Sequence, residues 1–120
     1  MLTDPVMYLE RSDFLSDGKM VPNLLVSPVF VMFQAEYCGH CKTAKPAFQA
    51  LANEGIVRCM TVQGDGERQS ERDIVPLLGR IYPGFLGYPS FMLFKTDGSR
   101  VPYTGKRDLA SMRAFVLSQQ

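Results

Sequence analysis

Two cysteines separated by two residues lie where an apolar run meets a helical pattern. The run is Val29–Phe33, and apolar side chains repeat at helical spacing from Cys38 to Asn53. If Cys38 lies at the first turn of this helix, the free backbone N–H groups and the positive end of the helix dipole favour its thiolate. Cys41 lies one helical turn further on, so the two sulfurs can form a disulfide. The sequence therefore predicts a redox centre.

The histidine between the two cysteines indicates a direction for the chemistry. His40 can carry a positive charge near neutral pH, which would stabilise a Cys38 thiolate. Stabilising the reduced form makes the disulfide more oxidising. The Cys38-Gly39-His40-Cys41 motif therefore favours donation of disulfides.

Two other interpretations of the cysteine pair remain. A structural zinc site usually needs four ligands, and only His40 and Cys59 could join Cys38 and Cys41. Cys59 lies in a predicted buried strand, where it is expected to act as a small apolar residue, so we expect no metal and no other cofactor. An inert Cys38–Cys41 disulfide is also possible, although so short a ring restrains little of the unfolded chain.

Length and charge narrow the class of protein. A chain of 120 residues with 46% hydrophobic and 21% charged residues is expected to form a single domain over residues 1–120. Its formal charge of +1 gives no reason to expect nucleic acid or a membrane surface as a partner. Three cysteines are too few for a disulfide-stapled secreted scaffold, and the start has no signal-peptide pattern. We expect a monomer that is cytoplasmic or otherwise not secreted.

The order of apolar and polar segments predicts an α/β fold. Strand–helix–strand units followed by a hairpin and a helix imply a central mixed β-sheet flanked by helices on both faces. Ser12 is expected to cap a short helical turn, and Asp108 is expected to cap the last helix. The predicted elements are strands over 6–9, 29–33, 56–62, 90–94 and 101–103, helices over 38–53, 73–81 and after Asp108, and an exposed polar loop over 63–72.

Several separated segments resemble one family. Residues 33–42 (F-Q-A-E-Y-C-G-H-C-K), Pro46, 87–90 (G-Y-P-S) and 94–98 together resemble proteins with the thioredoxin fold. The C-G-H-C and G-Y-P-S segments, with 103–107, more specifically resemble the catalytic (a-type) domain of protein disulfide isomerases. The resemblance implies a thioredoxin-like fold and a thiol–disulfide oxidoreductase. Its partners would be protein substrates with thiols or disulfides, and small thiols such as glutathione or a reductase.

The resemblance also implies roles for individual residues. Cys38 would be the attacking thiolate and Cys41 the buried resolving thiol, with His40 between them. Arg107 would correspond to an arginine that can approach the second cysteine and lower its pKa. Arg107 can equally be a solvated charge ahead of the last helix.

The substrate-binding surface follows from the same resemblance. Pro89 would be a cis-proline facing the redox site, where adjacent backbone pairs with a bound peptide. Tyr88 precedes it, and Gly39 lies within the motif. Tyr37 stands where the family usually has tryptophan, and its ring can still cover the site.

Two departures from the family pattern affect the functional prediction. Met32 stands where the family has a buried acid, so release of a mixed disulfide should be slower unless Glu36, His40, Arg107 or water substitutes for it. The segment 63–86 is longer than usual in the family, which suggests an altered partner surface. These departures leave open an alternative, a thioredoxin-like adaptor whose redox turnover is secondary. The sequence also leaves open whether an enzyme acts as oxidase, isomerase or reductase.

Overall fold

The apolar run before the cysteine pair forms the central strand of a five-stranded sheet. In the computed structural model, which describes all 120 residues, β2 (Val29–Gln34) is buried along its whole length. It pairs in parallel with β3 (Arg58–Gln63) and antiparallel with β4 (Ser90–Phe94). At the edges, β1 (Met7–Tyr8) lies parallel to β3, and β5 (Arg100–Tyr103) lies antiparallel to β4. The resulting order, β1-β3-β2-β4-β5, confirms the predicted mixed sheet.

One face of the sheet is covered by the two long helices. These are α1 (Gly39–Glu54) and α4 (Leu109–Ser118), which contact each other and bury one apolar cluster against the strands. Phe30 is at the centre of this cluster, since its ring packs against four other aromatic rings at centroid distances of 5.8–6.0 Å. Those rings belong to Phe48, Phe91, Tyr103 and Phe115.

The other face is covered by short helical segments from the region between β3 and β4. They are α2 (Gln69–Arg72), a 3-10 turn over Val75–Leu77 and α3 (Leu78–Ile81). The prediction of one helix over 73–81 was wrong, because Pro76 has no backbone N–H and the chain forms the 3-10 turn at this point. Apolar side chains of this region complete the second buried cluster.

The polar stretch 63–72 is not simply an exposed loop, contrary to the prediction. Arg72 donates hydrogen bonds to the carbonyl oxygens of Gly66 and Glu67 at 2.6 and 2.7 Å. Glu71 is buried and pairs with Arg68 at 2.7 Å. Because these charged groups satisfy one another and the backbone, the stretch can fold as α2 against the protein surface.

The ends of the helices follow their capping residues. Gly55, at φ +74°, ends α1, and Asp108 Oδ1 accepts a hydrogen bond from the Ser111 N–H at 2.7 Å to cap α4. The early helical turn is a 3-10 turn over Arg11–Asp13, but Glu10 caps it instead of Ser12, because Glu10 exchanges hydrogen bonds with Asp13. A second 3-10 turn covers residues 22–24. None of the helices combines the length and apolar character needed to cross a membrane.

Candidate active site

Cys38 lies at the junction between the β2–α1 loop and the first turn of α1. It is the N-cap residue, with extended backbone angles of φ −85° and ψ 111°, and its side chain is partly exposed. Its Sγ atom accepts a hydrogen bond from the Cys41 N–H at 3.2 Å. This donor and the positive end of the helix dipole both stabilise negative charge on the sulfur. The predicted helix N-terminus is therefore present, and its cysteine is accessible.

Cys41 lies in a very different environment, although it is only one turn away. It is fully buried, and all three cysteines are free thiols in the structure. Burial raises the pKa of Cys41 to about 12, together with the hydrogen bond to Cys38 and its charge, while a backbone hydrogen bond from Ala35 and the charge of Lys45 lower it. Cys41 is thus held as a thiol, and Cys38 is the sulfur placed for the first attack.

An aromatic surface lies beside the two cysteines. Tyr37 is 76% exposed, and its ring meets the Tyr88 ring edge-on at a centroid distance of 6.4 Å. Tyr88 packs in turn on Phe85 at 5.4 Å, and the Tyr88–Pro89 peptide bond is cis, as the resemblance implies. Burial raises the pKa of Tyr88, and the nearby charges of Tyr37 and Cys41 contribute. The structure therefore brings Tyr37, Tyr88 and Pro89 to the redox site.

A carboxylate that the sequence analysis missed holds the loop before Cys38. Both Oδ atoms of Asp65 lie within hydrogen-bond distance of the Glu36 N–H, at 2.9 and 3.0 Å. Burial alone would raise the pKa of Asp65, but hydrogen bonds from the Glu36 backbone and the Gln63 side chain lower it overall. The sequence did contain a signal for this contact. Asp65 follows β3, and the parallel neighbour β2 ends at the same end of the sheet, just before Glu36.

The remaining residues of the predicted site lie at its rim. Gly39 and His40 are exposed, and Arg107 is exposed in a cavity that it shares with Pro89 and Leu86. Arg107 makes no ion pair, and the cation whose charge lowers the pKa of Cys41 is Lys45, a residue that the sequence analysis did not single out. No three His, Cys, Asp or Glu side chains converge to hold a metal ion.

The geometry supports thiol–disulfide exchange. One sulfur is accessible at the N-terminus of α1 and accepts the Cys41 backbone N–H, and a second sulfur is buried one helical turn away. A nucleophile of this kind can attack a disulfide, and the second thiol can displace the product. The surface formed by Tyr37, Tyr88 and Pro89 lies beside the two sulfurs.

Comparison with known proteins agrees with this geometry. A family model described as Thioredoxin matches residues 19–118. A protein described as thioredoxin-like, 453L of Invertebrate iridescent virus 6, is 36% identical over 115 residues, covering 84% of this chain and 83% of that protein. Protein disulfide-isomerase 2-3 of Arabidopsis thaliana is 29% identical over 119 residues, covering 98% of this chain and 24% of that protein. This chain therefore spans about a quarter of that isomerase.

A solved structure gives the same fold. Human ERp44, crystal form I, matches with a TM-score of 0.72 at 17% identity, covering 100% of this chain and 30% of that one. At this identity the match concerns the fold alone.

Proposed function

This chain belongs to the thioredoxin family, and from that premise we propose that it oxidises or rearranges disulfides in protein substrates through Cys38 and Cys41. Thiol–disulfide oxidoreductase activity is what the fold and the relatives support. The finer assignment, to the oxidase and isomerase type of chemistry, is our proposal. Neither the geometry nor the relatives favour the alternative of a binding adaptor over an oxidoreductase.

The asymmetry of the two cysteines carries the proposal. Cys38 is partly exposed and accepts the Cys41 N–H, whereas Cys41 is 0% exposed with a raised pKa. An exchange reaction needs an accessible sulfur and a buried thiol at different positions. The accessible sulfur reacts with the substrate, and the buried thiol reacts only after the mixed disulfide has formed.

In the oxidising direction the reaction starts from the Cys38–Cys41 disulfide. A substrate thiolate attacks the Cys38 sulfur, and the bond between the two cysteines breaks, which leaves Cys41 as a thiolate that takes up a proton. A second thiolate of the same substrate then attacks the substrate sulfur that is bonded to Cys38. This attack releases Cys38 as a thiolate. The substrate loses two electrons to form its disulfide, and the enzyme gains them as two thiols. For isomerisation, Cys38 attacks a substrate disulfide and is later displaced by another substrate thiol, with no net oxidation.

His40 supports the oxidising and isomerising directions over simple reduction. It is exposed between the two cysteines, where a protonated imidazole would stabilise a thiolate on Cys38 and so the reduced enzyme. When the reduced form of an enzyme is more stable, its disulfide form is a stronger oxidant. We propose a small thiol couple such as glutathione as the electron partner, since Cys38 is accessible to it.

The test is the refolding of reduced and of scrambled ribonuclease in a glutathione buffer. We expect the wild-type protein to accelerate both reactions and Cys38→Ser to abolish both. Cys59→Ser is the matched control, because Cys59 is buried in β3 and has a pKa raised by burial to about 12. Full activity of Cys38→Ser would exclude the proposed chemistry, and insulin reduction without ribonuclease refolding would assign the protein to reductases.

A further inference from the structure

An ammonium group is buried beside the resolving cysteine. Lys45 is only 8% exposed, although lysine is rarely buried. It follows Cys41 by four residues in α1, so both side chains lie on one helix face with Cβ atoms about 5–6 Å apart. The buried stripe of the helix runs through Cys41, Ala44, Lys45 and Phe48. The helix therefore places the largely buried Lys45 side chain on the face of Cys41, with its Nζ beside Glu36.

The partner of this charge does not cancel it. Lys45 Nζ lies 3.6 Å from Glu36 Oε2, but the Lys45 side chain is 10% exposed and the Glu36 side chain is 64% exposed. Water screens the exposed carboxylate more strongly than it screens the buried ammonium. Glu36 is itself held in place through its backbone N–H by Asp65. The pair thus fixes the ammonium and leaves a net positive field on the core side.

Cys41 needs such a field when it resolves a mixed disulfide. In that state the Cys38 sulfur is bonded to substrate and uncharged, so the charge of Cys38 no longer opposes ionisation of Cys41. Burial still raises the pKa of Cys41, while the charge of Lys45 and the Ala35 hydrogen bond still lower it.

The sheet face below the helix supplies no charge of its own. Met32 is apolar and fully buried on this face. Its polar neighbours, Gln34 and Thr61, are uncharged and bonded to each other at 3.1 Å. The helix therefore has to provide the favourable charge.

We propose that Lys45 is the positioning residue that allows buried Cys41 to ionise during resolution, with Glu36 fixing its ammonium. The Cys41 proton passes to water, and the thiolate attacks the Cys38 sulfur of the mixed disulfide. The Cys38–Cys41 bond forms, the bond from Cys38 to the substrate sulfur breaks, and the substrate leaves as a thiolate that water can protonate. This inference rests on the proposed exchange chemistry at Cys38 and Cys41.

Other charged and titratable groups also lie around the pair. Tyr88 lies near Cys41, and burial raises the pKa of its hydroxyl, so it stays neutral over the pH range of the test. Asp65 has a lowered pKa and stays negative over the pH range of the test, so its charge does not change there. Met1 and Lys42 line the cavity on the outer side of Lys45, and both are exposed.

The test separates the two steps with one probe, 5,5′-dithiobis(2-nitrobenzoate). The reduced protein, in a Cys59→Ala background, should release thionitrobenzoate twice, first when Cys38 attacks the probe and then when Cys41 displaces the mixed disulfide. Stopped-flow traces between pH 5 and pH 9 give a rate for each phase. The variants are Lys45→Met, Lys45→Gln, Lys45→Arg and the charge-matched control Lys42→Met.

We expect Lys45→Met and Lys45→Gln to slow the second phase about tenfold at pH 7 and to move its rise to higher pH, because an adjacent opposite charge favours ionisation by one pKa unit or more. The first phase should not change. Lys45→Arg should keep the wild-type profile, and Lys42→Met should slow the second phase less than threefold, because its charge is exposed and screened.

Two results would overturn the inference: a second phase in Lys45→Met and Lys45→Gln that keeps the wild-type rate and pH profile, or a Lys45→Arg variant as slow as Lys45→Met. Absence of both phases in the protein with native Lys45 would instead overturn the proposed function.

Discussion

A glycine outside the redox motif is predicted to control the substrate surface. A Cβ atom added at Gly64 would lie 2.0 Å from the Tyr88 hydroxyl oxygen and 2.8 Å from its Cζ atom. Gly64 does not have a positive φ, so the backbone accepts alanine and the effect of the substitution is steric. We therefore expect Gly64→Ala to displace the Tyr88 ring.

The size of the effect follows from the contacts that Tyr88 would lose. Its hydroxyl has to retreat by about 1.4 Å to reach an ordinary van der Waals distance from the new methyl group. A shift of this size disrupts the edge-on contacts of Tyr88 with Tyr37 and Phe85, which have centroid distances of 6.4 and 5.4 Å. At roughly 0.5–1.5 kcal/mol for each aromatic pair, the loss is about 1–3 kcal/mol. If this surface binds peptide, kcat/KM should fall roughly 5- to 150-fold.

The assay compares two substrates, a cysteine-containing peptide disulfide and the small probe 5,5′-dithiobis(2-nitrobenzoate). Gly64→Ala should lower kcat/KM for the peptide and leave the first phase with the probe unchanged, since the probe needs only Cys38. Gly79→Ala is the matched control, because nothing lies within 4 Å of a Cβ atom added there. Adding Tyr88→Phe to Gly64→Ala removes the closest atom and should restore part of the lost activity. If peptide kinetics are the same in Gly64→Ala and wild type, or if Tyr88→Phe gives no rescue, the reasoning is refuted.

Three further predictions concern stability and are measured by urea unfolding. Phe30→Ala removes the fully buried ring at the centre of the aromatic cluster and should lower the free energy of unfolding by about 3–5 kcal/mol. A decrease below about 1 kcal/mol would contradict the packing described for that core. Asp108→Ala removes the side chain that caps α4 by accepting a hydrogen bond from the Ser111 N–H, and it should lower the free energy of unfolding by about 0.5–2 kcal/mol. Redox activity should not change, and a parallel ribonuclease assay checks this. The lowered pKa of Asp65 contributes stability that is present above its unfolded pKa and is lost as pH falls through the lower folded pKa. Asp65→Asn should therefore be less stable than wild type at pH 7, and the gap between the two proteins should narrow on acidification from pH 5 to pH 2; a constant gap would refute this assignment.

Much of the fold could be predicted because its signals are local. The β-branched and aromatic run at 29–33 can be buried only as a central strand, and it extends to Gln34 in the structure. Cys38 and Gly55 mark the ends of α1 through capping chemistry, which depends on a few adjacent residues. The strand predicted at 56–62 lies at 58–63, a shift of the kind expected when a boundary has no strong capping residue.

Several of the errors and omissions concern polar groups whose partners are not evident from the sequence. Glu10 caps the first helical turn and also accepts a hydrogen bond from Ser70, sixty residues away, at 2.7 Å. The stretch 63–72 has the composition of a solvated loop, but Arg68 and Glu71 pair with each other there. Lysine is normally exposed, so composition hides the burial of Lys45, although its spacing from Cys41 and Phe48 places it in the apolar stripe of α1.

The chemical difference between the two cysteines arises from the fold, since the residue type is the same at both positions. A helix that begins immediately after Cys38 directs an N–H group to that sulfur and leaves it partly exposed. The same helix rotates by about 300° over three residues, which turns Cys41 toward the sheet and into the apolar cluster. One more turn of helix brings Lys45 onto the face of Cys41, so the spacing that buries the second thiol also determines which charge lies on its helix face. Moving the start of α1 by a single residue would rotate the side chain of Cys41 by about 100° relative to the sheet and out of its buried position, even with the C-G-H-C motif intact.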